Sequence, residues 1–389
     1  MVTLPEPSAD VLDEVVDTRR ALHRRPELAF EERETSALID ERLRRLGLEV
    51  HGCPTETGAV AGLDTGRPGR TVLLRADIDA LPIQEDSGEP FASTLDGRMH
   101  ACGHDAHVAI MLGVARTLAE WRGGAGRYVF CFQPAEEIVS GARRMLDGGI
   151  PGPAPDAAIG LHIASFLPLG AVQTRAGLLW AGCDKFDIVI EGPGGHGAMV
   201  KRAGNVLLAQ AFVLQRLFDI VEGLETDGTQ CHTTIGLVRS DGASNIVPRH
   251  VRMEGTIRTF TPEQRDEAVR RLGDLLLETG TEFGVTATLD VPRATVPVRN
   301  DGAVTAAVLE TAREVVGDGA EAIARPMTLS DDMSEFLART PGCYFMLGAC
   351  PPGADPPPAH HSPQFRIAED AFPTGVRVLA RAAARLAAG

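Results

Sequence analysis

The feature that most constrains the fold is a regular alternation of short apolar runs with helical patterns in the first half of the chain. Residues 71–76, 127–132 and 156–162 have the apolar composition of buried strands, whereas residues 10–48 and 107–121 have helical periodicity. Strands that alternate with helices are typical of a largely parallel sheet with helices packed on it. The sequence therefore predicts an α/β fold.

Polar side chains follow the ends of these three predicted strands. Asp77 and Asp79 follow the first strand, Glu136 and Glu137 follow the second, and His162 ends the third. Ligands of open α/β sheets bind beyond the carboxyl ends of the strands. The five side chains therefore predict a functional site at that edge of the sheet.

The pattern changes at about residue 184, where a β-α-β-β-α-β succession begins. Its elements are strand 186–191, helix 205–222, strands 231–238 and 250–260, helix 262–283 and strand 285–291. This is the ferredoxin-like, or split βαβ, plan. The α/β character returns after residue 295, with a helix at 304–316, a strand at 343–347 and a helix at 371–388. We therefore predict two domains, one formed by 1–183 with 294–389 and one inserted over 184–293.

The composition of the chain argues against some classes of binding partner and indicates a cellular location. The 389 residues carry a formal net charge of −15, which argues against nucleic acid or an anionic membrane as a partner. No apolar run is long enough to span a membrane, and residues 1–10 lack the apolar core of a signal peptide. The seven cysteines are scattered and odd in number, which argues against a disulfide framework and favours a cytoplasmic location.

Residues 100–107 read His-Ala-Cys-Gly-His-Asp-Ala-His and concentrate metal-binding side chains. Thiolate, imidazole and carboxylate groups bind divalent ions such as Zn²⁺, Mn²⁺ and Co²⁺. Gly103 permits a tight turn, so that Cys102 and His104 can face one point. The alternative is a solvated, histidine-rich surface turn. The pattern indicates a metal site in which Cys102 is the one cysteine with metal-ligand neighbours.

The adjacent carboxylates of Glu136 and Glu137 give the second chemical signal. Two neighbouring negative charges repel each other, which is unfavourable at a strand end unless a positive group lies there. A metal centre gives each a role, because one carboxylate can bind the ion while the other takes a proton from a metal-bound water. The alternative is a solvated acidic loop. His162 alone indicates a packed histidine, but near the other donors it indicates a ligand.

Eight motifs in a fixed order resemble the M20 metallopeptidase family. They are Arg75–Pro82, His100–His107, Gln133–Glu137, Gly160–His162, Gly194–His196, Asn245–Pro248, Gly255–Phe260 and His361–Pro363. The match is to the amidohydrolase branch, which includes N-acyl-amino-acid, hippurate and indole-acetyl-amino-acid hydrolases. The resemblance spans nearly the whole chain. It implies a catalytic domain of metallopeptidase type and an inserted lid domain that also mediates a homodimer.

The resemblance implies two divalent metal ions, zinc or manganese, with cobalt as a further possibility. The implied ligands are Cys102, His104, Glu137, His162 and His361, with Cys102 as a bridging thiolate. Glu136 would be the general base, which deprotonates the metal-activated water and then protonates the leaving amine. His360 is the rival of His361 as a ligand, and the following Ser-Pro favours His361.

Several further residues have expected supporting roles. Asp77, Asp79 and Asp105 are expected to orient the ligand imidazoles, although capping of strand ends and turns is an equal alternative. His100 and His107 are expected to be structural or to support the ligands.

Three residues of the inserted domain match positions that bind substrate in the family. His196 would help to hold the scissile carbonyl, and Asn245 and Arg258 would contact the rest of the substrate. Arg258 suits a free carboxylate because a guanidinium binds both oxygens at once. The resemblance also implies that the lid closes over the site.

Two loops depart from the branch's pattern. Residues 138–141 (Ile-Val-Ser-Gly) replace a glycine-rich run after Glu137, and residues 197–201 (Gly-Ala-Met-Val-Lys) replace Ala-Ala and Pro-His. The usual Ser-Glu-Asp-Phe appears as Ser-Asp-Asp-Met at 330–333. We expect these loops to alter the acyl and amine specificity while the hydrolytic groups are retained.

The sequence as a whole predicts a cytoplasmic, metal-dependent amidohydrolase that cleaves an N-acyl amino acid or a related small amide. Within the same family, a dipeptidase, a carboxypeptidase or a pathway-specific deacylase is the alternative. A non-catalytic, metal-stabilised binding protein is less consistent with the sequence, because such a protein needs no base at Glu136. A redox protein is disfavoured because no Cys-x-x-Cys pair is present.

Overall fold

The computed structural model describes residues 4–225, 228–292 and 295–389. The strands are Glu49–His51 (β1), Ala59–Asp64 (β2), Thr71–Asp77 (β3), Arg127–Gln133 (β4), Ala157–Ala164 (β5), Val172–Thr174 (β6), Gly177–Trp180 (β7), Gly182–Glu191 (β8), Gly195–His196 (β9), His232–Ser240 (β10), Ile246–Val247 (β11), His250–Thr259 (β12), Thr286–Asp290 (β13), Val298–Asn300 (β14), Ala320–Ala322 (β15) and Gly342–Gly348 (β16). The helices are Ala9–His23 (α1), Arg33–Arg45 (α2), His104–Glu120 (α3), Gly141–Gly148 (α4), Val206–Glu222 (α5), Pro262–Phe283 (α6), Gly302–Val316 (α7), Met333–Leu337 (α8) and Phe372–Ala388 (α9).

The chain forms two compact units. The first comprises Met1–Leu179, Arg299–Ala324 and Asp332–Gly389, and the second comprises Trp180–Val298 and Arg325–Asp331. The local sequence pattern of Arg325–Asp331 does not predict that this segment belongs to the second unit. The division into a catalytic domain and an inserted lid stays a prediction.

The first unit contains an eight-stranded mixed sheet with the order β1-β2-β4-β3-β5-β16-β6-β15. Its centre, β4-β3-β5-β16, is parallel. The pairs β1–β2, β2–β4 and β16–β6 are antiparallel. The predicted parallel character therefore holds for the centre of the sheet, where strands β3 and β16 are buried at every position. Continuous burial explains why these strands read as apolar runs rather than alternating ones.

The helix α3 lies in the core of this unit. It starts at His104, three residues before the predicted start, and it packs against β3 and β5. Most of its 17 residues are buried, which accounts for the apolar sequence around its whole circumference. His104 and Asp105 therefore belong to the first helical turn rather than to the preceding loop.

The second unit is built on a four-stranded antiparallel sheet with the order β10-β12-β8-β13. The helices α5 and α6 pack on it, and both begin as their sequences predict. Asn205 caps α5 by accepting from the N–H groups of Leu207 and Leu208, and Thr261 caps α6 with proline at the first helical position. The element order β8-α5-β10-β12-α6-β13 is the predicted βαββαβ succession.

Candidate metal centre

The turn at Gly103 brings Cys102 and His104 to the same side of the backbone. Gly103 has a φ of 91°, in the left-handed region that glycine favours. A Cβ at this position would lie 2.4 Å from Cγ2 of Ile163, so a side chain here would clash with strand β5. Both the backbone conformation and the close approach require glycine. The two donors that flank it are buried.

The five predicted ligands lie together in the first unit and form two groups. Donor atoms of Cys102, His104 and His162 lie within 4.8 Å of one another, and the same holds for Cys102, Glu137 and His361. Cys102 belongs to both groups. Its Sγ is 3.6 Å from Nε2 of His162, while Oε2 of Glu137 is 3.5 Å from Nε2 of His361. Both groups offer donors that divalent ions accept, and each residue's role as a ligand, including the bridging role of Cys102, stays a prediction.

Backbone carbonyls orient two of the imidazoles. His104 donates from Nδ1 to the carbonyl oxygen of Asp79 at 2.9 Å, and His162 donates from Nδ1 to the carbonyl oxygen of Ile163 at 2.7 Å. With Nδ1 donating, Nε2 is the nitrogen left to bind a metal. Although burial opposes it, the charge of Asp77 raises the pKa of His104 well above its usual value, so a metal that binds His104 must displace a proton from Nε2. Within the described part of the chain, Nε2 of His104 and Oε1 of Glu137 are buried without a hydrogen-bond partner. Buried polar atoms are normally satisfied, so these two atoms fit a bound cation.

The raised pKa values of two predicted ligands also fit a site that binds a cation. Burial raises the pKa of the Cys102 thiol well above its usual value, and the charge of Glu137 raises it further. Burial, together with the charges of Asp79 and Asp77, raises the pKa of Glu137 to about 8. A divalent cation would stabilise both ionised forms, because it supplies the positive charge that the buried donors lack. The donor set of sulfur, nitrogen and oxygen is one that such ions accept.

Asp79 holds the backbone of the acidic pair. Its Oδ1 accepts from the N–H of Glu136 and its Oδ2 from the N–H of Glu137, both at 3.0 Å. The side chain of Asp79 therefore orients the Glu136–Glu137 turn, and its carbonyl oxygen orients the imidazole of His104. Glu136 is itself buried, beside His104 and Glu137.

The neighbouring histidines His360 and His361 have different surroundings. His360 accepts at Nε2 from the backbone N–H of Ser165 at 3.2 Å, and burial lowers its pKa well below the usual value. His361 has a left-handed φ of 59° and donates its N–H to the carbonyl oxygen of Ala101. That conformation directs its imidazole towards Glu137. Nδ1 of His360 lies 3.7 Å from Sγ of Cys102, so both histidines contact a predicted ligand, and the choice of His361 stays a prediction.

Asp77 orients a histidine that is not among the predicted ligands. It accepts from Nδ1 of His107 at 2.5 Å and from Arg75 at 2.7 Å, while Nε2 of His107 accepts from the N–H of Ile163. Although burial opposes ionisation, the charges of His104 and Arg75 hold the pKa of Asp77 well below its usual range. Both ring nitrogens of His107 are therefore engaged, which suits a supporting role.

Asp105 contacts a histidine that the sequence analysis missed. Its Oδ2 lies 2.7 Å from Nδ1 of His23 and 2.9 Å from Nε of Arg19, and Nε2 of His23 lies 3.1 Å from Glu85. Burial lowers the pKa of His23, but the charge of Asp105 outweighs this and leaves it raised. His100 is buried beside this network, with its ring 6.3 Å from that of His23. Asp105 thus orients His23 rather than a predicted ligand.

The three predicted substrate-binding residues lie in the second unit. His196 on β9 pairs with Ile246 on β11, and the carbonyl oxygen of the adjacent Asn245 accepts from the N–H of Gly197. His196 and Asn245 are therefore neighbours. Arg258 lies on β12, where its Nη1 donates to Oγ of Ser330 at 2.7 Å and to the carbonyl oxygen of Thr328.

Comparison with known proteins places this chain among enzymes. The family model described as peptidase family M20/M25/M40 matches residues 73–385. The chain is a member of this family. It is 34% identical over 378 residues to N-acetyl-L-cysteine deacetylase of Bacillus subtilis, a match that covers 96% of this chain and 88% of that protein. It is also 34% identical to the IAA-amino acid hydrolase ILR1-like 2 of Arabidopsis thaliana, over 95% of this chain and 84% of that protein.

Comparison with a solved structure supports membership of the same family. The Bacillus subtilis YXEP protein, described as a dinuclear metal-binding peptidase of the M20 family, superimposes with a TM-score of 0.81 at 30% identity. The match covers 98% of this chain and 99% of the other. This M20 protein belongs to the amidohydrolase branch, as its motifs predict, and it is a metal-dependent enzyme that hydrolyses amide bonds.

Proposed function

We propose that this M20 enzyme cleaves the amide bond of an N-acyl amino acid or a related small amide. The observation that carries the proposal is the pair of donor groups that share Cys102 beside Glu136. The substrates in the names of its relatives, an N-acetylated amino acid and an amino acid conjugate, support the same substrate class.

The proposed centre holds two divalent ions, zinc or manganese, with cobalt as the third candidate. The ligands would be Cys102, His104, Glu137, His162 and His361. When bound, the ions would polarise the substrate carbonyl and acidify the attacking water. Glu136 would accept the proton that this water loses and deliver it to the nitrogen of the leaving amine. The products are a carboxylic acid and an amine, with one water consumed.

The second unit would supply the substrate contacts. We assign His196 to the scissile carbonyl and Arg258 to a free carboxylate, with Asn245 as a further substrate-binding residue. Residues His196 and Asn245 lie together on the β9–β11 pair, which supports a joint role. This unit would act as the lid and would form the homodimer interface. The loops Ile138–Gly141 and Gly197–Lys201 would set the acyl and amine specificity.

We place the enzyme in the cytoplasm, with a small molecule rather than nucleic acid or a membrane as its partner. All seven cysteines are free, and the net charge of −15 disfavours anionic partners. Among the helices of the described residues, none has the length and apolar character to cross a bilayer.

The test is hydrolysis of a substrate panel by metal-stripped protein resupplied with Zn²⁺, Mn²⁺ or Co²⁺. One arm contains N-acyl amino acids of varied acyl chain, and the other contains dipeptides and longer peptides with free carboxyl ends. Metal-restored release of free amine from the first arm is the expected result. Preference for the second arm would favour a dipeptidase or carboxypeptidase. Stoichiometric metal with no turnover on either arm would point to a more specialised amide substrate, selected by the altered loops, and would overturn the proposed substrate class.

A further inference from the structure

Glu32 is a fully buried carboxylate that the chemistry described above does not use. It lies at the start of α2, where its Oε2 accepts from the hydroxyl of Thr57 at 2.7 Å. Its Oε1 accepts from the backbone N–H of Ala135 at 2.9 Å. Ala135 immediately precedes Glu136, so this buried side chain reaches the turn that carries the acidic pair.

Three successive amides of that turn are held by two carboxylates. The N–H of Ala135 donates to Glu32, and those of Glu136 and Glu137 donate to the two oxygens of Asp79. Ala135 has a φ of 55°, a left-handed conformation that costs an alanine about 1–2 kcal/mol. Such a conformation persists only where the surroundings enforce it. The hydrogen bond from Glu32 is one of those restraints.

The backbone that carries Glu32 is itself anchored on two sides. The carboxylate of Glu27 accepts from the N–H groups of residues 33, 34 and 35 at the start of α2. The hydroxyl of Ser36 accepts from the N–H of Gly58 at 2.7 Å. Burial raises the pKa of Glu32, while the hydrogen bond from Thr57 lowers it. Glu32 therefore occupies a fixed position from which it acts on Ala135.

We propose that Glu32 is a positioning residue, which fixes the backbone at Ala135 and thereby the direction of the Glu136 and Glu137 side chains. The proposal rests on the roles assigned above to Glu136 as the base and Glu137 as a ligand. Catalytic geometry is sensitive to small displacements, so a turn that loses one of its three restraints misplaces both carboxylates.

The experiment compares Glu32→Ala with Glu32→Gln and with the control Asp301→Ala. Glu32→Ala leaves the buried N–H of Ala135 without its acceptor, and we expect kcat to fall about 10- to 100-fold while KM changes little. Glu32→Gln retains an acceptor for Ala135, and the Thr57 hydroxyl can rotate to accept from the new amide. This variant should recover most of kcat. Asp301→Ala removes a carboxylate that accepts from the N–H groups of Ala303 and Val304 at the start of α7, another helix of the same unit, so it should lower Tm and leave kcat unchanged.

Metal affinity provides a readout that does not depend on turnover. Titration of the metal-free proteins with Zn²⁺ should show weaker binding in Glu32→Ala, because Glu137 is displaced, but not in Asp301→Ala. If Glu32→Ala does not fold, Glu32→Asp takes its place, since it shortens the reach to Ala135 and keeps the charge. Wild-type kcat and metal affinity in the folded variant would overturn the proposal, as would equal losses in Asp301→Ala. If the wild type hydrolyses none of the amides, that result counts against the proposed function. The Zn²⁺ titration then still decides whether Glu32 has the proposed role.

Discussion

Asp79 accepts a hydrogen bond from the backbone N–H of Glu136 with one carboxylate oxygen, and its second oxygen accepts the next N–H along the chain. The carbonyl oxygen of the same residue accepts from Nδ1 of His104. One residue, two positions beyond the end of β3, therefore orients the proposed base, the backbone of one proposed ligand and the imidazole of another. This explains why a carboxylate that is not itself in a predicted ligand position is completely buried at the site.

The first prediction concerns Asp79→Asn. The amide offers one acceptor in place of two, and its NH₂ group would face a backbone N–H of the Glu136–Glu137 turn. We expect kcat to fall about 10- to 100-fold, with weaker metal binding. Asp64→Asn is the control, because Asp64 is an exposed residue on β2 of the same sheet, where it accepts from the N–H of Gly66 and lies 3.7 Å from the guanidinium of Arg127, away from the Glu136–Glu137 turn. Wild-type kcat in Asp79→Asn would contradict the assigned role.

The second prediction separates proton transfer from metal binding. Glu136→Gln should bind metal nearly as the wild type does, yet lose about 10²- to 10⁴-fold in kcat, because only the proton shuttle is removed. Glu137→Gln should instead lose metal, which elemental analysis of the purified protein measures. If Glu136→Gln turns over substrate at near the wild-type rate, Glu136 is not the base.

The sequence predicts those site residues whose position depends only on local pattern and strand direction. Asp77, Asp79, Glu136 and His162 follow apolar runs, and parallel strands bring their ends to one edge. Glu32 was missed because its contact with Ala135 joins residues 103 positions apart, and neither end has a periodic or compositional signature. His23 was missed for the same reason, since its position within α1 reads as one residue of a charged amphipathic helix. Long-range hydrogen bonds of buried carboxylates, whether to a backbone N–H or to an imidazole, are a property of tertiary packing.

The third prediction is that metal binding releases protons. With Glu137 at a pKa of about 8 and the pKa of Cys102 well above its usual value, both groups are largely protonated at neutral pH in the metal-free protein. Both must lose their protons to bind an ion, so metal affinity should rise with pH from about pH 6 to 8. Calorimetry in buffers of different ionisation enthalpy measures the number of protons released. An affinity that is independent of pH in this interval would be inconsistent with the assigned ligands.

The fourth prediction concerns recognition of a free carboxylate. Arg258→Ala should raise KM for substrates with a free carboxylate by roughly 10- to 100-fold, the value of a hydrogen bond to a charged group. Amidated analogues should be affected much less. Arg252→Ala is the matched control, because Arg252 lies on the same strand β12 but is exposed and paired with Asp187. Equal losses on both kinds of substrate would show that Arg258 acts on the fold of the second unit instead.

The fifth prediction tests the unusual loop after the acidic pair. Val139 has a φ of 58°, a conformation that is strained for a β-branched residue and free of strain for glycine. Val139→Gly and Val139→Ala both remove the γ-methyl groups and differ only in Cβ. At an ordinary φ the alanine variant would be the more stable, by about 0.5–1 kcal/mol. At this φ the order reverses, because alanine in the left-handed region costs about 1–2 kcal/mol. Chemical denaturation should therefore give Val139→Gly the larger free energy of unfolding, and the opposite order would mean that the loop has another conformation in solution.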